Sequence, residues 1–276
     1  LYTPLVVKKG QILALKESQK GMRMYLLVQG GLDVPRYLNS ASTFTLGGFG
    51  GHGGRALRTG DVLRVKQTKA QATLPPLASA PFSNDWTIGV IAGPHCTDEF
   101  LDAQYLAELT STKWEVHFNS SRTGVRLVGP TPKWAREDGG EAGLHPSNIH
   151  DNAYAIGTID LTGDMPIILG PDGPSLGGFV CPVTTATAEL WKIGQLRPGD
   201  KVSFQLLTLE QAEALYVEQQ QFIETLQGVV TLPASQPISA EEAILAKISD
   251  EQFPVTIRAA GDAYVLIEYG EMELNL

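Results

Sequence analysis

Between two glycine-rich stretches, the run His145-Pro-Ser-Asn-Ile-His-Asp-Asn152 sets imidazoles, amides and a carboxylate within eight residues. Glu137-Asp-Gly-Gly-Glu-Ala-Gly143 precedes it and Leu169-Gly-Pro-Asp-Gly-Pro-Ser-Leu-Gly-Gly178 follows. A packed core has no use for so many polar groups. Glycines let backbone approach a ligand closely, and Asn, His and Asp supply directional donors and acceptors for a small polar molecule. The stretch reads as the wall of an active site. A structural alternative stands beside it, because Pro-Ser-Asn and His-Asp-Asn are also turn formers whose side chains bond their own backbone.

The elements that must position these residues are strands. Short apolar alternations recur at Leu5–Val7, Ile12–Leu15, Met24–Val28, Trp86–Ile91, Trp114–Phe118, Arg126–Val128, Met165–Leu169 and Lys201–Leu206. Gly, Pro, Asp and Ser bound most of them, which predicts a mainly β fold. Helical signals are few. One helix is expected from Thr97 through Leu109, a second behind the capping box Thr208/Gln211, and a short third behind Ser239/Glu242, running through Ile248. Val255–Gly270 reads as a β-hairpin with no third strand to cover it, so a fragment of a larger protein is expected.

An ordered echo suggests duplication. Gly30-Gly-x-x-x-Pro35 leads to Arg58-x-Gly-Asp61, and Gly177-Gly-x-x-x-Pro182 leads to Arg197-x-Gly-Asp200. Two related β units follow: residues 1–66 as the end of a first unit, and 85–228 as a second with a C-terminal helix. Residues 67–84 would link them, 229–254 would be a linker with a short helix, and 255–276 the opening of a further module.

Composition narrows the function. A length of 276 residues and 43% apolar content suit a globular protein with real cores, and no apolar run is long enough to cross a bilayer. Without a visible signal peptide, a soluble cytoplasmic protein is expected. The formal charge of −9 is spread along the chain, which argues against nucleic acid and against an anionic membrane surface. Cys96 and Cys181 lack the spacing of a metal or redox motif and read as buried thiols, and no metal site is expected. The loop Gly47–Gly54, with His52 and then Arg55, lacks the Lys-Ser/Thr ending of a phosphate loop. It is expected at a site mouth or against another domain. Arg122 and Arg126 would share one strand face, paired to Glu137, Asp138 and Glu141 or facing a ligand.

Gly47 to Asp61, Ser121 to Leu127, Glu137 to Gly157 and Gly170 to Pro182 together resemble the carboxyltransferase region of urea carboxylases, the biotin-dependent half of urea amidolyases. The resemblance covers essentially the whole chain. Residues 1–228 resemble the later part of a module shared with the bacterial KipA protein and with one component of 5-oxoprolinase, and 255–276 the opening of a KipI-like module. It implies cyclophilin-like β-barrels and transfer of a carboxyl group from carboxybiotin to urea. Biotin would arrive on a carrier domain, and ATP and Mg would serve a separate biotin carboxylase domain of the same parent protein.

That chemistry needs donors aimed at an oxygen gaining charge and a rigid cradle for planar urea. His145, His150 and Asp151 are then the candidates for proton transfer, and Asn148, Asn152, Asp172, Gly177 and Gly178 for holding the substrate. Asp172 is equally readable as a turn residue. His52, Arg55, Arg122 and Arg126 are candidates for ligand or interface contact. A 5-oxoprolinase-type subunit, a carboxylase of a guanidine-like amide and a KipA-like regulatory binding module are the alternatives.

Overall fold

The computed structural model describes residues 4–66, 82–236, 238–249 and 253–270. It divides the chain into two compact units, Leu1–Ala14 with Met24–Ser79, and Leu15–Arg23 with Ala80–Leu276.

In the first unit, β1 (Leu32–Asp33) pairs with a later strand, β2 (Thr43–Phe44) pairs with β3 (Phe49–Gly50), and β4 (Arg64–Val65) is the partner of β1. The apolar alternations at Leu5–Val7, Ile12–Leu15 and Met24–Val28, read above as strands, are not strands here. Alternation makes a segment able to pair, but a strand exists only where a neighbour takes up its backbone groups.

The second unit carries β5 (Asp85–Ala92), β6 (Trp114–Val116), β7 (Gly124–Val128), β8 (Asn148–Ala153), β9 (Thr158–Thr162) and β10 (Met165–Leu169). It continues with β11 (Leu176–Phe179), β12 (Val183–Thr185), β13 (Lys201–Leu206), β14 (Ile244–Ile248), β15 (Val255–Ala259) and β16 (Val265–Tyr269). Seven of these close a barrel in the order β10-β7-β6-β13-β5-β12-β9. Only the β13/β5 neighbours run parallel. The mainly β expectation with few helices therefore holds.

Period-2 alternation decides what the barrel encloses. Ile88, Val90, Leu127, Ile159, Leu161, Ile168 and Val202 point inward and are almost fully buried. The residues between them face out. Helix α1 (Tyr105–Ser111) adds Tyr105, Leu106 and Leu109 to this core, and α2 (Leu190–Ile193) adds Ile193. The helix expected from Thr97 thus begins at Tyr105, since Phe100 and Leu101 are buried from a non-helical approach.

Helix α3 (Leu209–Thr225) starts where the sequence signals it: Thr208 Oγ1 accepts from the Gln211 N–H, and Gln211 returns the bond to the Thr208 N–H. The box at Ser239/Glu242 also forms, but it caps a single 3₁₀ turn, Ala240–Ala243, and Ile244–Ile248 is strand β14. Its two isoleucines are stiff in a helix, and β15 offers a ladder. That corrects two expectations, because β14 is also the third strand the β15/β16 hairpin was expected to lack.

The echo is structural at its second half. In both Arg-x-Gly-Asp turns the Asp N–H donates to the Arg carbonyl at 3.0 Å. In both, the Asp carboxylate accepts the Arg N–H, at 2.7 Å in Arg58–Asp61 and 3.0 Å in Arg197–Asp200. Gly60 and Gly199 supply the positive φ this turn requires, +94° and +86°. The Gly-Gly halves differ: Gly30 and Gly31 have positive φ, whereas Gly177 and Gly178 lie in β11. The segment 67–84 lies, but for its last three residues, outside the described residues.

Candidate functional site

Asn148–Ala153 is strand β8, antiparallel to β11, with Asn152 opposite Gly177 and Asn148 opposite Phe179 across an irregularity at Gly178. The run expected as a turn is therefore extended, and only its entry is a turn, closed by the Asn148 N–H on the His145 carbonyl at 2.8 Å. The extended backbone sorts the side chains. Asn148, His150 and Asn152 share one half-buried face, while Ile149 and Asp151 face the other way, Ile149 into the core.

Asn152 Nδ2 donates to the Gly177 carbonyl at 3.1 Å, yet its Oδ1 is buried with no hydrogen-bond partner. His150 Nε2 is likewise buried and unpartnered, with Glu141 Oε2 at 3.9 Å. Buried polar atoms left open in this way mark a place where a ligand or water completes the bonding.

His145 sits outside this row. The Ser147 N–H donates to its Nδ1 at 3.2 Å, which puts the proton of the neutral ring on Nε2, 3.4 Å from Asp164 Oδ1. Trp134 packs edge-on against the ring and donates to the same carboxylate oxygen at 3.1 Å.

Asp172 is bound in a two-pronged pair with Arg122, at 2.6 and 3.0 Å, and the guanidinium holds its carboxyl below the ordinary range. Arg122 precedes β7, the strand that carries Arg126, and forms its ion pair with Asp172 from there. In the first unit Arg55 forks onto Asp61 at 2.7 and 2.9 Å, with His52 Nε2 at 3.9 Å from the same carboxylate.

A cleft of about 320 Å³ opens between the outer face of the barrel and the β8/β11 arm. Its floor is a register row: Ile167 of β10 pairs with Arg126 of β7 on one side and with Asp160 of β9 on the other. Thr162 and Gly124 extend that face, and Tyr154, Leu176, Gly177 and Phe179 line the arm side. A Cβ on Gly177 would stand 2.6 Å from the Tyr154 ring, so glycine leaves the ring room beside β11. Tyr154 Oη also accepts the Phe179 N–H at 2.8 Å. Of the residues singled out from sequence, Arg126 and Gly177 line the cleft; His145, Asn148, His150, Asp151, Asn152, Asp172 and Gly178 do not.

Sequence reasoning missed Asp160. It is 3% exposed, and burial pushes its carboxyl up to about 7 against the opposing pull of Thr162 and Arg126. The available signal was a lone carboxylate in Thr158-Ile-Asp-Leu-Thr162, out of phase with Ile159 and Leu161.

A second cleft, of about 950 Å³, runs along the other side of this unit past Glu99, Leu106, Gln205, Ser239 and Arg258. Arg258 is buried and already engaged by Glu268 at 2.7 Å, the Pro94 carbonyl at 3.1 Å and Glu99 at 3.5 Å. Next to it burial holds His95 neutral, its pKa down to about 3. Cys96 and Cys181 are buried free thiols, as expected. Among the described residues no His, Cys, Asp or Glu group is arranged to hold a metal ion, and no helix is long and apolar enough to cross a membrane.

The family model described as carboxyltransferase domain, subdomain A and B, matches residues 1–206. The chain is 46% identical to a urea amidolyase of Lachancea kluyveri over 99% of its own length and 16% of that protein's. A crystal structure of the Kluyveromyces lactis urea carboxylase superposes with a TM-score of 0.78 at 46% identity, over 89% of this chain and 24% of that one. A 5-oxoprolinase component of Haemophilus influenzae is more distant, 27% identical over 81% of this chain and 69% of its own. The chain thus spans about a sixth of the amidolyase it resembles.

Proposed function

Since the chain belongs to the carboxyltransferase domain family, subdomains A and B, we propose that it is part of the carboxyltransferase domain of a urea carboxylase. In this reading a carboxyl group passes from carboxybiotin to a urea nitrogen, giving allophanate. Carboxybiotin enters as a substrate carried by another domain of the parent protein, and it supplies the carboxyl group. ATP and Mg are used at a separate biotin carboxylase domain, and a KipI-like module adjoins this one. The residues of this chain hold and orient the acceptor amide.

The observation that carries the reading is the β8 row, where the Asn152 Oδ1 acceptor and His150 Nε2 are both buried and open. Urea offers several N–H donors and one carbonyl acceptor. Asn152 takes a donor, and His150 with its proton on Nε2 serves the carbonyl. Guanidinium has no acceptor to offer the His150 N–H. Asn148 shares the row, Gly177 and Gly178 keep the opposing strand close, and Asp151, His145 and the Arg122–Asp172 pair frame the arm. His52 and Arg55 belong to the first unit, where we assign their loop to contact with another domain. Two reduced, buried cysteines accord with a cytoplasmic location.

The test is a complete enzyme assembled from this chain and its partner domains, with ATP cleavage followed as a function of added amide. Urea-dependent cleavage with allophanate formation is expected. Preference for guanidine or for 5-oxoproline would transfer the assignment to those substrates, and indifference to all three would favour a regulatory binding module.

A further inference from the structure

Resting on the assignment of the β8 row to the acceptor amide, we propose that Glu141 sets which amides the site takes: its carboxylate accepts the N–H lying beside the carbonyl that His150 holds. The site then demands a carbonyl and an N–H on one edge of the acceptor. Urea has that edge, and an amide with a methyl group in the N–H position does not.

The chain around Glu141 is tied to the strand it serves. Arg136 Nη1 donates to the Asn148 carbonyl at 2.8 Å and to the Pro146 carbonyl at 3.3 Å, which fixes the start of the loop against the entry to β8. Gly140 comes so close that a Cβ there would stand 2.1 Å from the His145 carbonyl oxygen and 2.7 Å from that of Asn148. The next residue therefore lands beside the β8 face, with Glu141 Oε2 at 3.9 Å from His150 Nε2. The Gly140 N–H closes the turn on itself by donating to the Leu144 carbonyl at 2.8 Å. Inside it Ala142 is held at φ +54°, a left-handed conformation uncommon for a residue with a side chain and concentrated at ligand clamps.

A separation of 3.9 Å is too long for a hydrogen bond, so the imidazole and the carboxylate do not satisfy each other. A carboxylate facing Nε2 favours the tautomer with its N–H there, and the pair presents a donor and an acceptor side by side. Ordinary bond lengths put the oxygen of urea about 2.3 Å from either nitrogen. Two hydrogen bonds of normal length then reach from that edge to His150 and Glu141, each splayed by about 15°, which such bonds tolerate. Asn152 Oδ1, buried and unpartnered on the same strand face, takes another of the N–H groups. Because both open atoms are buried, the acceptor enters when the Glu141 turn lifts, and Gly139 and Gly143, at φ +99° and +70°, flank that turn as its swivels.

The test is Glu141→Ala in the complete enzyme, with urea as substrate and N,N′-dimethylurea as competitor. In the dimethyl compound each methyl lies beside the carbonyl oxygen, as the α-carbon does in a trans peptide, so the edge that Glu141 reads is blocked. We expect KM for urea to rise by about tenfold to a hundredfold, the worth of a hydrogen bond to a charged group. Biotin carboxylation without urea should be unchanged. The ratio of the dimethylurea inhibition constant to the urea KM should fall by about tenfold or more, since the variant loses a bond to urea and gains room for the methyl. Loss of the turn's shape alone would weaken both compounds together. A folded variant with an unchanged ratio therefore overturns the role of Glu141 and leaves the β8 assignment intact, whereas failure of the wild type to act on urea overturns both. Should the variant not fold, hydrogen exchange in the wild-type enzyme decides: slower exchange of the Gly140 and Leu144 amides with urea but not with dimethylurea supports the role, and amides indifferent to urea overturn it.

Discussion

Replacing Asp160 by Asn has a consequence for stability that is independent of any enzymatic role. The carboxyl rises from 3.8 to about 7 because the side chain is 3% exposed. Between those values the unfolded chain has lost the proton and the folded chain keeps it. The unfolded state then binds fewer protons, so stability falls with rising pH: the contribution is whole below 3.8 and is lost as pH passes through about 7. At about 1.4 kcal/mol per pH step, and allowing for the part already lost at the start, the wild type should lose about 3 kcal/mol from this group between about pH 5 and about pH 8. Asparagine does not titrate. Guanidinium denaturation of both proteins across that range should therefore show Asp160→Asn gaining on the wild type by about 3 kcal/mol. Parallel curves would mean that the carboxyl ionises normally, and the account of Asp160 as a desolvated acid would be wrong.

Three further outcomes follow from the geometry. Asn152→Ala in the complete enzyme should weaken urea carboxylation by about 1 to 3 kcal/mol while leaving biotin carboxylation in place; normal urea turnover in a folded variant would remove the β8 row from the site. Gly177→Ala should push the Tyr154 ring off β11 and break its bond to the Phe179 N–H, lowering stability by about 1 to 3 kcal/mol. A melting temperature unchanged from wild type would show that the ring has room to spare. In hydrogen exchange, amides of the closed barrel strands β5, β9 and β12 should be the slowest and those of residues 24–66 much faster, because the described ladders there are two residues long. Equal protection in both units would contradict this.

Local chemistry was enough to determine part of the molecule. Strands Met165–Leu169 and Lys201–Leu206 could be bounded from alternation and flanking turn residues, and α3 from a capping box that forms as written. The Arg-x-Gly-Asp turns were legible because their bonds join residues three apart. The glycine-spaced polar motifs pointed to the carboxyltransferase family. What local chemistry leaves open is the choice of neighbours. Ile244–Ile248 follows a sound helix cap, yet becomes strand because β15 lies alongside. His145 to Asn152 looked like one cluster, and an extended backbone divided it between two faces. Asp160 and Arg126 came together only because β10 lies between β9 and β7, with Ile167 in register with both. A strand's own residues fix which side chains share a face. Which strand lies next to it is settled by burial and backbone pairing across the whole barrel, and that is where the cleft acquired its acid and its cation.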